Sequence, residues 1–149
     1  YLPAVEEPVA EVSAEPENLE TFKGTETVLV VEDEDVVRAM ATEVLRENGY
    51  HVLEAEHATE ALTVSNEYDG EIHLMLTDVV MPLMSGRDLA KRLRPLRPDM
   101  KVLYMSGYTD DAIVHHGVLE KGMAFIGKPF SIDALSRKLR EVLDNHVTV

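Results

Sequence analysis

The sequence contains no cysteine, has half as many basic as acidic residues and lacks any long apolar run. Without cysteine there is no disulfide framework, which is compatible with a reducing compartment. No apolar run approaches the ~20 residues that a membrane-spanning helix needs, and the first residues show no signal-peptide pattern. We therefore expect a cytoplasmic location and no direct contact with a membrane.

The shortage of basic residues also bears on possible partners. The 149 residues carry a formal net charge of −14, which nucleic-acid phosphates would repel, so direct nucleic-acid binding is not expected. Apolar residues make up 45% and charged residues 28% of the chain, as in ordinary globular proteins. This length suits one domain with a full hydrophobic core.

The N-terminal segment differs in composition from the rest. Residues 1–22 contain six glutamates, three prolines and no Lys or Arg, and they show no apolar periodicity. This composition predicts a disordered acidic linker over residues 1–24, followed by one domain over residues 25–146. Carboxylates that cluster inside that domain would repel one another and would favour a bound cation.

From residue 27 onward, short apolar runs alternate with amphipathic stretches. The apolar runs predict five strands, at Thr27–Val31, His51–Ala55, Ile72–Thr77, Lys101–Met105 and Ala124–Ile126. The amphipathic stretches predict five helices, at Asp35–Asn48, Ala58–Glu67, Arg87–Leu93, Asp110–His116 and Ser131–Asp144. Alternation of this kind predicts an α/β fold with a doubly wound, five-stranded parallel sheet.

Polar residues follow four of these strands, where ligands bind in such sheets. Glu32 and Asp33 follow the first strand, Asp78 the third, Ser106 the fourth and Lys128 the fifth. Each feature alone is common in surface turns, but together they form one site. Carboxylate oxygens suit Mg²⁺ or Mn²⁺, and a lysine and a hydroxyl suit phosphate. The set places a carboxylate nucleophile, Asp78, where phosphoryl transfer needs it.

Four stretches carry a family resemblance: VLVVEDED (28–35), LTDVVMPLMSG (76–86), VLYMSGYTD (102–110) and FIGKPF (125–130). Through them, residues 25–145 resemble response-regulator receiver domains. The resemblance implies a flavodoxin-like receiver fold with strand order 2-1-3-4-5. It also implies that Asp78 is the phosphoacceptor, and that Glu32, Asp33, Asp78 and the backbone carbonyl of Val80 hold the metal. Glu32 departs from the family, which more often has Asp at that position.

The resemblance also assigns the residues that respond to phosphorylation. Ser106 matches the hydroxyl residue that reports the phosphoryl group, and Lys128 matches the family's lysine. Phe125 matches the aromatic switch residue, although some relatives have Tyr there. The family usually has a cis peptide bond before the proline, so we expect Lys128-Pro129 to be cis.

The implied partner is a histidine kinase or a helical bundle that carries a phosphohistidine. Val36 and Met40 lie off the buried face of the first helix, beside Pro129 and Phe130, and are candidate docking residues. The alternative is that Val36 and Met40 are only peripheral core. We expect a monomer or a weak dimer.

A second resemblance concerns the chain's context. Tyr1-Leu2-Pro3 resembles the end of a histidine kinase ATP-binding domain, and residues 106–122 (SGYTDDAIVHHGVLEKG) resemble receivers fused behind kinases. These stretches imply the C-terminal receiver of a hybrid histidine kinase.

Two other functions stay open at this point. One is a Mg²⁺-dependent phosphohydrolase with an aspartyl phosphate, and the other is a degenerate interaction module that accepts no phosphate. Val80 stands where such a hydrolase usually has a second Asp, so we expect no turnover of outside substrates. Val80 and Tyr108 should also border the path of a hydrolytic water, which neither can activate, and this predicts slow loss of the phosphoryl group.

Overall fold

The computed structural model describes residues 22–107 and 124–144. In these ranges the strands are β1 (Thr27–Val31), β2 (His51–Ala55), β3 (Leu74–Asp78), β4 (Lys101–Ser106) and β5 (Ala124–Gly127). The helices are α1 (Asp35–Glu47), α2 (Ala58–Glu67), α3 (Gly86–Leu93) and α4 (Ile132–Asp144). The predicted helix at Asp110–His116 lies outside the described residues.

The five strands form one parallel sheet in the order β2-β1-β3-β4-β5, which confirms the predicted topology. Because every pairing is parallel, all the carboxyl ends of the strands lie along one edge. The order changes direction between β1 and β3, and this is where flavodoxin-like sheets bind their ligands.

Side chains of the sheet alternate between two core layers, one on each face. The first layer joins β-strand residues such as Leu29 and Met75 to Ala61 of α2 and Leu89 of α3. The second joins other strand residues to Leu45 of α1 and to α4. Every residue of β1 and β3 is buried, because helices cover both faces of these central strands. This burial on both faces explains why β1 and β3 appear in the sequence as continuous apolar runs.

The strand bounds differ most from the prediction at β3, which starts at Leu74 rather than Ile72. Ile72 is buried but lies before the first paired residues of β3, and next to it the ring nitrogen Nδ1 of His73 accepts a 3.0 Å hydrogen bond from the Thr27 amide. At their carboxyl ends β4 and β5 each run one residue further than predicted, because Ser106 and Gly127 pair with each other. Burial alone does not reveal where a ladder begins or ends.

The helix ends follow local capping chemistry. Helix α1 ends at Glu47, one residue before the predicted end, and Gly49 then takes a φ of 98°, which glycine adopts without strain. Ser85 precedes α3, and its hydroxyl accepts a hydrogen bond from the Asp88 amide, so that α3 begins at Gly86. Ser131 caps α4 as predicted, accepting from the Ala134 amide at 3.0 Å.

The segment that precedes β1 is held against the domain by contacts with α4. Arg140 binds Glu26 at 2.7 Å and donates to the Lys23 carbonyl oxygen and to the Tyr50 hydroxyl, while that hydroxyl donates to the Phe22 carbonyl oxygen. Residues 22 and 23 therefore hydrogen-bond to the domain, although the linker was predicted to run to residue 24, and the domain boundary itself stays a prediction. No helix in the described parts of the chain is long and apolar enough to cross a membrane.

Candidate functional site

The edge of the sheet gathers the polar residues that the sequence singled out. Asp78 is the last residue of β3 and pairs in register with Met105, next to Ser106 at the end of β4. Lys128 directly follows β5, and its amide donates to the Ser106 carbonyl oxygen at 2.7 Å. The predicted convergence of the strand ends is thus observed, and the Lys128-Pro129 peptide bond is cis as expected.

Three carboxyl groups meet at this edge. Glu32, Asp33 and Asp78 each offer an oxygen that lies within 4.8 Å of the others. Glu32 is fully buried and Asp78 is 4% exposed, whereas Asp33 is open to solvent. Buried carboxylates repel one another strongly unless a cation lies between them. The group therefore has the form of a cation site that is open on one side.

Lys128 supplies one positive charge. Its ammonium nitrogen Nζ lies 2.9 Å from Oε1 of Glu32 and 3.0 Å from Oδ1 of Asp78. The exposed carboxylate of Glu34 is further away, at 3.7 Å. A single ammonium group thus bridges the two buried carboxyls, and it stands next to the position that an incoming phosphoryl group would take.

Burial and crowding change the protonation of the group. Burial, together with the hydrogen bond to Glu32, raises the pKa of Asp78 to about 8, and contact with Lys128 only partly opposes this. Burial would also raise the pKa of Glu32, but contacts with Asp78, the Glu34 amide and Lys128 lower it. Although burial opposes it, contact with the two carboxyls raises the pKa of Lys128. Within this pair, the pKa is therefore raised for Asp78 and lowered for Glu32.

These residues fit a small divalent cation. Carboxylate oxygens are the ligands that Mg²⁺ prefers, and Mg²⁺ normally keeps several waters, which the open side of the cluster allows. The raised pKa of Asp78 indicates that the single positive charge of Lys128 only partly offsets burial beside Glu32. A divalent cation would supply what is missing, so the donor set and its charge are both compatible with Mg²⁺.

An open cleft of about 360 Å³ lies over the cluster. Asp33, Asp78, Val80, Ser106 and Lys128 are among the residues that line it. Ser106 is buried at the base and Val80 is 59% exposed at the rim. The cleft therefore joins the carboxyl group of Asp78 to solvent.

The predicted switch residue, Phe125, lies in β5 next to Tyr104 of β4. It is partly buried and packs against the core layer that contains Tyr104. Among the predicted docking residues, Val36 is 82% exposed, Pro129 is exposed and Met40 is partly buried. Phe130 packs against the other core layer. Tyr108 lies outside the described residues.

The sequence reading missed two residues that shape the site. Arg38 donates to the Glu32 carbonyl oxygen at 2.7 Å from the first turns of α1. Gly86 packs so closely on the end of β3 that an added Cβ would overlap the Asp78 carbonyl oxygen. Arg38 is the only basic residue between positions 32 and 45, and Gly86 is the last residue of a stretch that carries the family resemblance. Both positions therefore stood out in the sequence, but the sequence alone did not indicate their contacts.

The comparisons with known proteins agree with this geometry. Residues 28–140 match the model of the response regulator receiver domain family, and the chain belongs to that family. It is a phosphoacceptor module of two-component signal transduction. The fold and the family were both predicted from the sequence and are confirmed.

Several relatives are similar over most of this chain. It is 39% identical to the sensor kinase CckA of Brucella abortus over 137 residues, which are 92% of this chain but 14% of that protein. It also spans 32% of a cyclic di-GMP phosphodiesterase of Thermotoga maritima, at 33% identity and over 81% of this chain. The chain thus matches only a small part of these two curated relatives.

Solved structures show the same architecture. The receiver domain of a hybrid histidine kinase CckA superposes with a TM-score of 0.67 at 37% identity, covering 79% of this chain and 99% of that one. The chemotaxis protein CheY4 of Vibrio cholerae superposes with a TM-score of 0.70 at 26% identity, covering 80% and 99% respectively.

Proposed function

We propose that Asp78 accepts a phosphoryl group from a phosphohistidine on a histidine kinase or on a histidine phosphotransfer bundle. The observation that carries this proposal is the position of Asp78, buried at the end of β3, 3.0 Å from Lys128 and open to the cleft. A carboxylate oxygen attacks phosphorus, the phosphorus–nitrogen bond breaks, and the imidazole leaves with the bonding electrons. Asp78 must be ionised for this step, which Lys128 favours.

Glu32, Asp33 and Asp78, with the carbonyl oxygen of Val80, would hold Mg²⁺, or Mn²⁺ in its place. The support is the cluster of three carboxyls and the raised pKa of Asp78 within it. When bound, the ion supplies positive charge for the phosphoryl oxygens, which is the main requirement of this chemistry. Glu32 is fully buried and bonded to Lys128. It would therefore attract the cation through its negative charge as well as through direct ligation.

Lys128, Ser106 and Phe125 would respond to the phosphoryl group. Lys128 turns its ammonium group from Asp78 toward a phosphoryl oxygen, and the Ser106 hydroxyl donates to another. Ser106 lies at the base of the cleft, on the strand that pairs with the strand of Phe125. A shift of Ser106 toward the phosphoryl group would therefore reach Phe125 through the pairing of these strands, and the ring of Phe125 is only partly buried.

The acceptor assignment is tested by mass spectrometry after incubation with a small phosphodonor and Mg²⁺. The parent should gain one phosphoryl group, and Asp78→Asn should gain none while staying folded. Asp99→Asn is the matched control, because Asp99 is exposed at the opposite end of the sheet, just before β4. Labelling of Asp78→Asn at the parent's level would refute the assignment, and many turnovers of donor would indicate a phosphohydrolase.

The proposed docking surface comprises Val36, Met40, Pro129 and Phe130. Its support is the large exposed fraction of Val36, an apolar side chain next to the acidic loop. Val36→Asp should slow phosphoryl transfer from the kinase but not from a small phosphodonor. Equal slowing with both donors would show damage to the site. If neither donor is slowed, Val36 is not part of the docking surface.

We also propose that the acyl phosphate hydrolyses slowly. Val80 lies at the rim of the cleft and has no group that could orient or deprotonate a water. The missing assistance is worth a factor of ~10²–10⁴ in favourable cases. Val80→Asn and Tyr108→Glu, alone and together, should shorten the lifetime of the phosphorylated protein. An unchanged lifetime in the double variant would show that these residues do not control the water.

The chain is further proposed to be the C-terminal receiver of a hybrid histidine kinase, located in the cytoplasm and present as a monomer or weak dimer. The similarity to the sensor kinase CckA extends over 137 residues, beyond the residues 28–140 that match the family. In-frame coding sequence for a kinase ATP-binding domain directly before Tyr1 would support this context. A start codon at that point would contradict it.

A further inference from the structure

Arg38 is held by several acceptors at the loop that joins β1 to α1. Its side chain is 13% exposed, Nη1 donates to the Glu32 carbonyl oxygen at 2.7 Å, and Nη2 donates to Asp35 at 2.6 Å. The same guanidinium lies 3.6 Å from Glu54 and 3.7 Å from Glu56, at the carboxyl end of β2. Arg38 therefore ties the acidic loop to the neighbouring strand.

The contact with Glu32 has a direct bearing on the carboxyl cluster. The carbonyl that Arg38 binds belongs to the peptide bond between Glu32 and Asp33, two members of that cluster. Fixing this oxygen fixes the plane of the peptide, and with it the direction in which the Asp33 side chain leaves the backbone. If that peptide rotated, the Asp33 carboxylate would move away from the carboxyl groups of Glu32 and Asp78.

The rest of the loop is held from the other side. Oε2 of Glu32 accepts the Glu34 amide at 3.0 Å, and the Glu32 amide donates to the Ala55 carbonyl oxygen at 3.1 Å. These bonds fix the residue itself, whereas the bond from Arg38 fixes the peptide that leads to Asp33. A planar guanidinium can contact the carbonyl, Asp35 and Glu54 through three separate nitrogens. A lysine has only one nitrogen and cannot do so.

We propose that Arg38 is a positioning residue that sets Asp33 in place for the divalent cation, without itself touching the cation. This inference rests on the metal site under "Proposed function". Partners that orient metal ligands typically contribute a factor of about 10–100 in metal affinity. Arg38 would thus increase the affinity for the cation through positioning, although its positive charge by itself would decrease that affinity.

The sign of that charge effect separates positioning from electrostatics. Removing a positive charge makes the neighbourhood more negative, which by itself strengthens the binding of Mg²⁺. Loss of positioning weakens it. Arg46 provides a matched control, because it also lies on α1 and binds Glu54 at 3.0 Å, while its hydrogen bonds go to β2, at Val52 and Glu54, and not to the acidic loop. Arg38→Met and Arg46→Met change the net charge equally.

The test uses the full chain and Mg²⁺ alone. Melting temperature as a function of Mg²⁺ concentration gives the dissociation constant by mass action, which suits a chain that lacks tryptophan as a fluorescent reporter. Arg38→Met should raise the dissociation constant by about tenfold or more. Arg46→Met should leave it unchanged or lower it. With a small phosphodonor, the rate at saturating Mg²⁺ should recover in Arg38→Met, because only the placement of the ion is impaired.

Each outcome decides the question. A parent that shows no Mg²⁺ response would refute the metal site itself and this inference with it. A parent that responds, with Arg38→Met equal to it or tighter, would refute the positioning role alone. If Arg38→Met does not fold, Arg38→Lys decides, since it keeps the charge but loses the fork. Weaker Mg²⁺ binding in a folded Arg38→Lys supports positioning, and unchanged binding overturns it.

Discussion

Replacing Asp78 with Asn should stabilise the metal-free protein, although it removes the proposed acceptor. Asn has nearly the same shape as Asp but carries no charge, so it ends the crowding of two buried carboxyls around one ammonium group. Most substitutions of buried residues destabilise, so an increase in the free energy of unfolding is an unusual expectation. It follows directly from the raised pKa of Asp78.

The magnitude follows from proton linkage. The pKa of Asp78 rises from 3.8 to about 8 on folding, so the native state holds this proton more tightly than the unfolded chain does. Stability is therefore fully present below the unfolded pKa and falls as the pH rises toward the folded pKa. At ~1.4 kcal/mol per pH unit, the three units up to neutral pH give an upper limit of about 4 kcal/mol.

The measured gain should be smaller than this limit. Asn cannot bind the Lys128 ammonium as strongly as a carboxylate does, and the loss of a charge-assisted hydrogen bond costs about 1.5–3 kcal/mol. We expect a net gain of about 1–3 kcal/mol at neutral pH in the presence of a chelator, which would appear as a rise of several degrees in melting temperature. The difference should vanish below the unfolded pKa, where both side chains are uncharged.

The assay is thermal or urea unfolding of the parent and Asp78→Asn across the range from acid to neutral pH, with and without Mg²⁺. Mg²⁺ at 100 times its dissociation constant would stabilise the parent by ~2.7 kcal/mol, and it should stabilise the variant less because a ligand is lost. Asp99→Asn, with the same change in charge, should stay within about 0.5 kcal/mol of the parent. Equal or lower stability of metal-free Asp78→Asn at neutral pH would refute the reasoning.

Three further outcomes test the surroundings of the site. Gly86→Ala should destabilise by about 1–3 kcal/mol, since its Cβ would overlap the carbonyl oxygen of the acceptor aspartate, whereas Gly107→Ala, with open space around the Cβ, should change little in the same melts. Leu83 has a φ of 72° and is 95% exposed, so Leu83→Gly should gain about 0.5–1 kcal/mol by relieving a strain of ~1–2 kcal/mol; a destabilised variant would contradict this. The Arg140 hydrogen bond lowers the pKa of Glu26, so its contribution to stability is present above the ordinary pKa of 4.5 and is lost as the pH falls through the lowered pKa. Acid unfolding of Glu26→Gln should lack that part of the pH dependence, and an unchanged dependence on pH in the acid range would exclude the pair as its source.

The fold was predictable because its main signals are local. The runs that form β1 and β2 were predicted with the bounds that the structure shows. β1 is covered on both faces and leaves a continuous apolar run, whereas β2 is an edge strand with a partly exposed pattern. Helix α2 was also predicted with its observed bounds. The start of β3 was not, because burial continues to Ile72, before the first residue that pairs with β1.

The candidate site was predictable as a set of residues but not as a geometry. Parallel pairing of the strands brings Asp78, Ser106 and Lys128 to one edge whatever their side chains do, so the sequence pattern sufficed to group them. The complete burial of Glu32 and the contact of Arg38 with its carbonyl depend on side-chain conformations across the loop. No spacing in the sequence encodes such contacts.

The hydrogen bonds of Glu32 indicate which part of the site must move when a phosphoryl group arrives. A buried carboxylate is costly unless its oxygens are paired, and here one oxygen binds Lys128 while the other binds the Glu34 amide. Its carbonyl is held by Arg38. The lysine contact is shared with Asp78, at 3.0 Å, and Glu32 also hydrogen-bonds to Asp78 itself. Rotation of Glu32 would break bonds on two sides of the loop, whereas the ammonium group of Lys128 can exchange one carboxylate oxygen for a phosphoryl oxygen and still hold Glu32. We therefore expect Lys128 to adjust when a phosphoryl group binds, while Glu32 keeps its contacts with the acidic loop.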